Sequence, residues 1–220
     1  MPSRAPRAAP ARGWPTLYAI VDVDACAGVG RAPLDVARAF LSAGVRLLQL
    51  RAKGWDSGPF LELCAAVVQD ANAAGGSVIV NDRADVAALA DAHGLHIGQE
   101  DLAPAAARRI VGEGAVLGLS THTPAQWESA VAEPISYLAI GPVFATGTKV
   151  TGHDAVGLDT VGRAAAAAAV HGLPVVAIGG ITLERAPAVI ASGAASVAVI
   201  SDLLSGAPEA RARAFLRALA

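Results

Sequence analysis

Short runs of Val, Ile and Leu alternate along the chain with longer stretches in which apolar residues, mostly Ala, recur at helical spacing. Eight such runs stand out: Leu17–Asp22, Leu47–Ala52, Val78–Asp82, Gly94–Gly98, Val116–Ser120, Tyr137–Pro142, Val175–Gly180 and Ser196–Ser201. Each precedes a stretch of helical character, namely Leu34–Ser42, Phe60–Ala73, Asp85–Ala92, Pro104–Val111, Ala125–Val131, Val161–Val170, Leu183–Ala191 and Pro208–Leu219. The runs are nearly continuous in their hydrophobicity, which is how strands covered on both faces read. Glycine closes several helical stretches, as at Gly44, Gly75, Gly94, Gly112, Gly172 and Gly193, where it supplies a left-handed cap. Cap residues or Pro open others, as at Thr123-Pro124, Thr182, and Asp101 with Pro104.

Strict β/α alternation implies a parallel sheet with right-handed crossovers. Eight units within 220 residues favour a single-domain (β/α)8 TIM barrel over a doubly wound open sheet, which usually has fewer strands. The barrel is expected over 15–220, behind an Arg-, Ala- and Pro-rich leader over 1–14 that lacks the apolar centre of a secretory signal and is expected to be disordered. With 54% hydrophobic residues but only 4% aromatic, the core must be built from Ala, Val, Leu and Ile. A net charge of −2 gives no electrostatic case for nucleic acid, and no apolar stretch is long enough and free of breaks to span a membrane. Cys26 and Cys64 can form neither a disulfide framework nor a four-ligand zinc site, and Cys64 falls on the apolar face of a helix. A reduced, cytoplasmic setting follows as the expectation.

In a barrel the chemistry lies at the carboxyl ends of the strands. The second run ends Gln49-Leu50-Arg51-Ala52-Lys53, and strand alternation puts Gln49, Arg51 and Lys53 on one face. Cations aimed into a barrel mouth require an anion, although a salt-bridged strand end is an equal alternative for this string alone. The third run ends Asn81-Asp82 and the fourth leads to Asp101. Two carboxylates from neighbouring strands, completed by water and phosphate oxygens, suit Mg²⁺, whereas each alone could cap a helix. The fifth run ends at Ser120 and leads to His122, and Thr146, Thr148 and Lys149 lie in the longest connection, after the sixth. Gly179 and Gly180 at the end of the seventh run, with Ile200 and Ser201 at the end of the eighth, fit a phosphate held by main-chain donors and a helix N-terminus.

Seven strings in order carry a resemblance to the thiamine phosphate synthase family: QLRAKG (49–54), VND (80–82), HIGQED (96–101), GLSTHT (118–123), GPVFATGTK (141–149), AIGGI (177–181) and VIS (199–201). The resemblance implies coupling of a hydroxymethylpyrimidine diphosphate with a thiazole phosphate, giving thiamine phosphate and pyrophosphate in a Mg²⁺-dependent, dissociative reaction. It implies that Arg51, Lys53, Lys149 and Ser120 act on the reacting groups, with Asp82 and Asp101 holding the metal. Gln49, Asn81 and Ser120 would lie against the pyrimidine, and Thr146 and Thr148 against the thiazole. Gly180, Ile200 and Ser201 would hold the thiazole phosphate. Members of the family often self-associate, so a homo-oligomer agrees with the resemblance. Ala52 departs from a common acidic residue and Val150 from a common Pro, but neither removes a matched position. Two rivals share the phosphate pocket: a thiazole tautomerase with His122 as proton shuttle, and a non-catalytic thiazole- or thiamine-phosphate binding protein. Retention of Asp82, Asp101, Lys53 and Lys149 favours coupling over both. Lys149→Ala is expected to slow the chemical step by roughly 10²–10³-fold, the effect of losing one transition-state charge donor, measured as a single-turnover rate.

Overall fold

The computed structural model describes residues 14–145 and 154–220. Eight parallel strands close on themselves: β1 (Leu17–Asp22), β2 (Leu47–Arg51), β3 (Ser77–Asn81), β4 (Gly94–Ile97), β5 (Val116–Thr121), β6 (Tyr137–Ile140), β7 (Val175–Ile178) and β8 (Ser196–Val199). Leu17 of β1 pairs with Val197 of β8, and that pairing excludes the open sheet. The TIM barrel is therefore the fold. The outer ring is α1 (Val23–Gly28), α2 (Pro33–Ala43), α3 (Ser57–Ala74), α4 (Ala84–Leu89), α5 (Pro104–Val111), α6 (Pro124–Ala130), α7 (Gly157–Ala169), α8 (Ala186–Ala191) and α9 (Pro208–Ala218).

Alternation along each strand divides the interior into two cores. Leu48 and Leu50, Val78 and Val80, Leu95 and Ile97, and Leu117 and Leu119 point outward against the helices, where Phe40, Cys64 and Ala164 meet them. Burial pushes the Cys64 thiol up to about 12, so this cysteine is a small apolar filler, as its helical position suggested. Tyr18, Ile20, Leu47, Ile79, Val116, Tyr137 and Val176 point inward and fill the barrel axis. Trp14, counted with the leader in the sequence reading, packs edge-on against Tyr137 at a centroid distance of 5.0 Å and so lies against the barrel interior. The rest of the expected leader lies outside the described residues.

Several local expectations require correction. The short helix α1 was not foreseen; Asp22 caps it by accepting from the Ala25 N–H at 2.9 Å. Gly44 and Gly75 do cap α2 and α3 in the left-handed region. Gly94, however, belongs to β4, where a Cβ would come within 2.2 Å of the Val116 carbonyl oxygen. Beside it, His93 Nδ1 accepts from the Val78 N–H at 3.2 Å. Thr123 closes a capping box on α6, but Arg185 rather than Thr182 occupies the N-cap of α8. Among the described residues, no helix is long and apolar enough to cross a membrane.

Space along the barrel axis is set by glycine as much as by rings. A Cβ on Gly118 would lie 2.0 Å from Cζ of Tyr137, so the buried tyrosine fits only because β5 has a hydrogen there. Gly118→Ala is expected to lower the unfolding free energy by about 3 kcal/mol, the upper end for overpacking, in urea denaturation.

Candidate active site

The carboxyl ends of the strands enclose one cavity of about 450 Å³. Gln49, Arg51, Asn81, His96 and Ser120 line one side of it, while Gly179, Gly180, Ile200 and Ser201 line the other. Gln49 and Arg51 point inward because Leu48 and Leu50 point out, so the expected alternation of β2 holds through Arg51. Ala52 packs against the outer core, away from the site. Lys53 leaves the strand and approaches Asp82 instead, with Nζ 3.5 Å from the carboxylate.

Arg51 is held by an ion pair from Nη1 to Asp22, whose other oxygen caps α1. The sequence reading did not single out Asp22. Its role becomes visible only when β1 and β2 pair in a register that sets Asp22 against Arg51. The pair neutralises one edge of the guanidinium, yet Arg51 Nε is buried without a hydrogen-bond partner among the described residues. A buried donor left unmade is costly, and an anion in the cavity would relieve that cost.

Asp82 and Asp101 do converge. Their side chains are within hydrogen-bonding reach, and the Asp82 carboxyl titrates above its ordinary value, first because it is partly buried and then because Asp101 faces it; Lys53 opposes the shift. Neither carboxylate caps a helix, since the N-caps of α4 and α5 are Arg83 and Ala103. Asp101 Oδ2 instead accepts from the Gly98 N–H at 2.7 Å, which anchors it over the end of β4. Asp82 adopts a left-handed φ of 62°, unusual outside glycine, while its N–H donates to the His96 carbonyl at 2.8 Å. The two acids sit at the rim beside Asn81 and are not part of the cavity wall.

The opposite end differs from expectation. Gly179 and Gly180 have φ of 104° and 62°, and added Cβ atoms would meet Pro142 at 2.5 Å and the Ala145 carbonyl at 2.8 Å. Glycine is therefore required here by the packing of the β6–α7 segment, whatever ligand binds. The expected helix N-terminus after β8 is a four-residue 3-10 turn over Ser201–Leu204, with little dipole of its own. A cation missed by sequence reasoning compensates. Arg185 lines the cavity, donates from Nη1 to the Gly180 carbonyl at 2.9 Å and lies over the Phe144 ring at 4.7 Å. Asp202 is engaged elsewhere, paired with Arg211 at 2.7 Å and accepting from the Leu183 N–H.

A family model described as thiamine monophosphate synthase matches residues 17–203. The chain belongs to the thiamine monophosphate synthase family. It is 43% identical to a thiamine-phosphate synthase of Koribacter versatilis over 93% of this chain and 96% of that protein. It is 40% identical to one of Moorella thermoacetica over 86% and 89%, respectively. Among solved structures, thiamine phosphate pyrophosphorylase from Pyrococcus furiosus superposes with a TM-score of 0.83 at 25% identity, covering 93% of this chain and 95% of that one.

Within this family fold, Gln49, Arg51, Asn81, Ser120, Gly180, Ile200 and Ser201 meet at one cavity, and Lys53, Asp82 and Asp101 gather at its rim. Thr146, Thr148 and Lys149 lie outside the described residues. His122 also lines the cavity, with Nδ1 2.5 Å from the Gly141 carbonyl, the oxygen of which can only accept. The raised Asp82 carboxyl means that the folded chain holds this proton more tightly than the unfolded chain. Its contribution therefore weakens the fold as pH climbs from 3.8 through the raised value. Asp101→Asn is expected to bring the Asp82 titration down, short of 3.8 because burial persists, and to flatten that pH slope. Carboxyl ¹³C titration with stability measured across the same range reads both.

Proposed function

We propose that the chain couples 4-amino-2-methyl-5-hydroxymethylpyrimidine diphosphate to a thiazole phosphate, releasing thiamine phosphate and pyrophosphate. This is a transferase step of thiamine biosynthesis, in keeping with the family. One observation carries the reading: a single cavity joins a wall containing Arg51, with its unpartnered buried Nε, to a wall containing Gly180, Ser201 and Arg185. Two phosphorylated ligands can thus face each other across it.

Chemically, the C–O bond to the diphosphate breaks with its electron pair leaving on oxygen, and the thiazole nitrogen supplies the pair for the new C–N bond. The demand is for stabilisation of negative charge on the departing group more than for a base. Arg51 and Lys53 face that charge, and Lys149, by resemblance, would add a third cation. Gln49, Asn81 and Ser120 would orient the pyrimidine, while Thr146 and Thr148 would contact the thiazole.

The paired acids fit Mg²⁺. Two facing carboxylates, one of which titrates high because it is partly buried and faces the other, are relieved by a divalent cation. No group of three ligating His, Cys, Asp or Glu side chains occurs among the described residues. That suits an ion that takes one or two carboxylates and completes its shell with water and substrate phosphate. When bound, Mg²⁺ would neutralise the leaving diphosphate; Asp82 and Asp101 would hold it, with Gly98 fixing Asp101.

Mixing the protein with both phosphorylated halves and Mg²⁺ should release pyrophosphate. Isomerisation of the thiazole phosphate without coupling would instead favour the tautomerase reading, and binding without turnover the non-catalytic one. Asp101→Ala is expected to lose most of the coupling and the rise in melting temperature given by Mg²⁺ with pyrophosphate, while thiazole phosphate binding measured calorimetrically stays near the parent value. Normal turnover and an unchanged Mg²⁺ response would remove the metal assignment.

A further inference from the structure

We infer that Tyr18, Tyr137 and His96 form a one-way hydrogen-bond chain, running from the Gln49 amide, that leaves the Ser120 hydroxyl hydrogen for the ligand; the inference rests on the coupling reaction proposed above. The chain runs across the barrel interior. Gln49 Nε2 donates to Tyr18 Oη at 3.0 Å, and Tyr18 Oη lies 3.1 Å from Tyr137 Oη. Tyr137 Oη is 2.8 Å from His96 Nδ1, and His96 Nε2 is 2.8 Å from Ser120 Oγ. Five strands, β2, β1, β6, β4 and β5, contribute one side chain each. Tyr18, Tyr137, His96 and Gln49 are all buried.

The direction follows from the member with no choice. An amide –NH2 can only donate. Tyr18 therefore accepts from Gln49, and the acceptor placed for its own hydrogen is Tyr137 Oη. Reversing that step would leave a buried O–H of Tyr18 unmade, which folding penalises. Having accepted from Tyr18, Tyr137 gives its hydrogen to His96 Nδ1. A neutral imidazole then carries its proton on Nε2 and donates it to Ser120. Ser120 Oγ is thus an acceptor toward the interior, and its own hydrogen remains for whatever fills the cavity.

Packing holds the chain in this geometry. The His96 ring stacks on Tyr137 at 5.6 Å and 14°, Tyr18 and Trp14 meet Tyr137 edge-on, and the hydrogen-only side chain of Gly118 admits the Tyr137 ring. A hydroxyl whose hydrogen is left over for the cavity matches an aminopyrimidine ring nitrogen, which accepts. Tyr18, Tyr137 and His96 are positioning residues: they act on the substrate through Ser120.

Two measurements test this. Nitrogen-15 NMR of histidine-labelled protein, with His96 assigned by comparison with His96→Gln and by its contacts to the Tyr137 ring, is expected to show a protonated Nε2 and a bare Nδ1. A protonated Nδ1 would mean that the chain runs the other way and would overturn the inference. Tyr137→Phe keeps the ring and cuts the chain at its centre. It is expected to raise KM for the pyrimidine diphosphate roughly tenfold, the worth of about one hydrogen bond, with KM for the thiazole phosphate unchanged. No change, or an equal change for both substrates, would overturn the positioning role. If neither protein releases pyrophosphate, the coupling reaction fails, and the His96 tautomer still decides the chain.

Discussion

Closure of the sheet by β1 against β8 is the constraint on which the site depends. Once closed, every inward side chain faces other inward side chains or a ligand, because bulk water reaches only the mouth. Apolar residues and three aromatic rings solve this at the lower levels, from Trp14 through Tyr18 and Tyr137. Higher up, Asp22, Gln49, Arg51, Asn81 and His96 are polar and buried or nearly so. Burial makes polar groups demand partners: Asp22 and Arg51 find each other, Gln49 finds Tyr18, and His96 finds Tyr137 and Ser120.

Charge at the mouth is divided rather than pooled. Asp22 takes one edge of Arg51, Lys53 approaches Asp82, and Asp202 takes Arg211. What this leaves over is informative: a buried Arg51 Nε with no partner among the described residues, a pair of acids facing each other, and Arg185 set against a carbonyl and an aromatic face. Residual positive charge beside residual negative charge is an arrangement that an anion carrying a divalent cation would satisfy at once. The phosphorylated pyrimidine and Mg²⁺ of the proposed reaction are such a pair.

The left-handed Asp82 and the glycines after β7 show how backbone serves the site. At Asp82 a strained φ turns the chain so that its carboxylate faces Asp101 across the ends of two neighbouring strands. At Gly179 and Gly180 the same region of backbone space is adopted because the β6–α7 segment packs where a Cβ would stand. Only the first argues directly for function. The second is a packing requirement that also happens to leave the cavity wall smooth.

Much of this was legible in the residues. Continuous apolar runs alternating with helical stretches specified eight β/α units, because hydrophobic period is a local property that survives folding. Strand alternation placed Gln49 and Arg51 together for the same reason. The single-residue neighbours across the barrel were beyond reach: Asp22 against Arg51, His96 between Tyr137 and Ser120, Arg185 on Phe144. Such contacts join residues distant in the chain, 119 positions apart for Tyr18 and Tyr137, and nothing in local sequence encodes register between distant strands. Sequence by itself therefore determined which faces are apolar and which strand ends carry chemistry. Tertiary structure decided which polar groups satisfy each other and which are left for a ligand, because partner choice is a matter of distance and burial that only closure of the barrel sets.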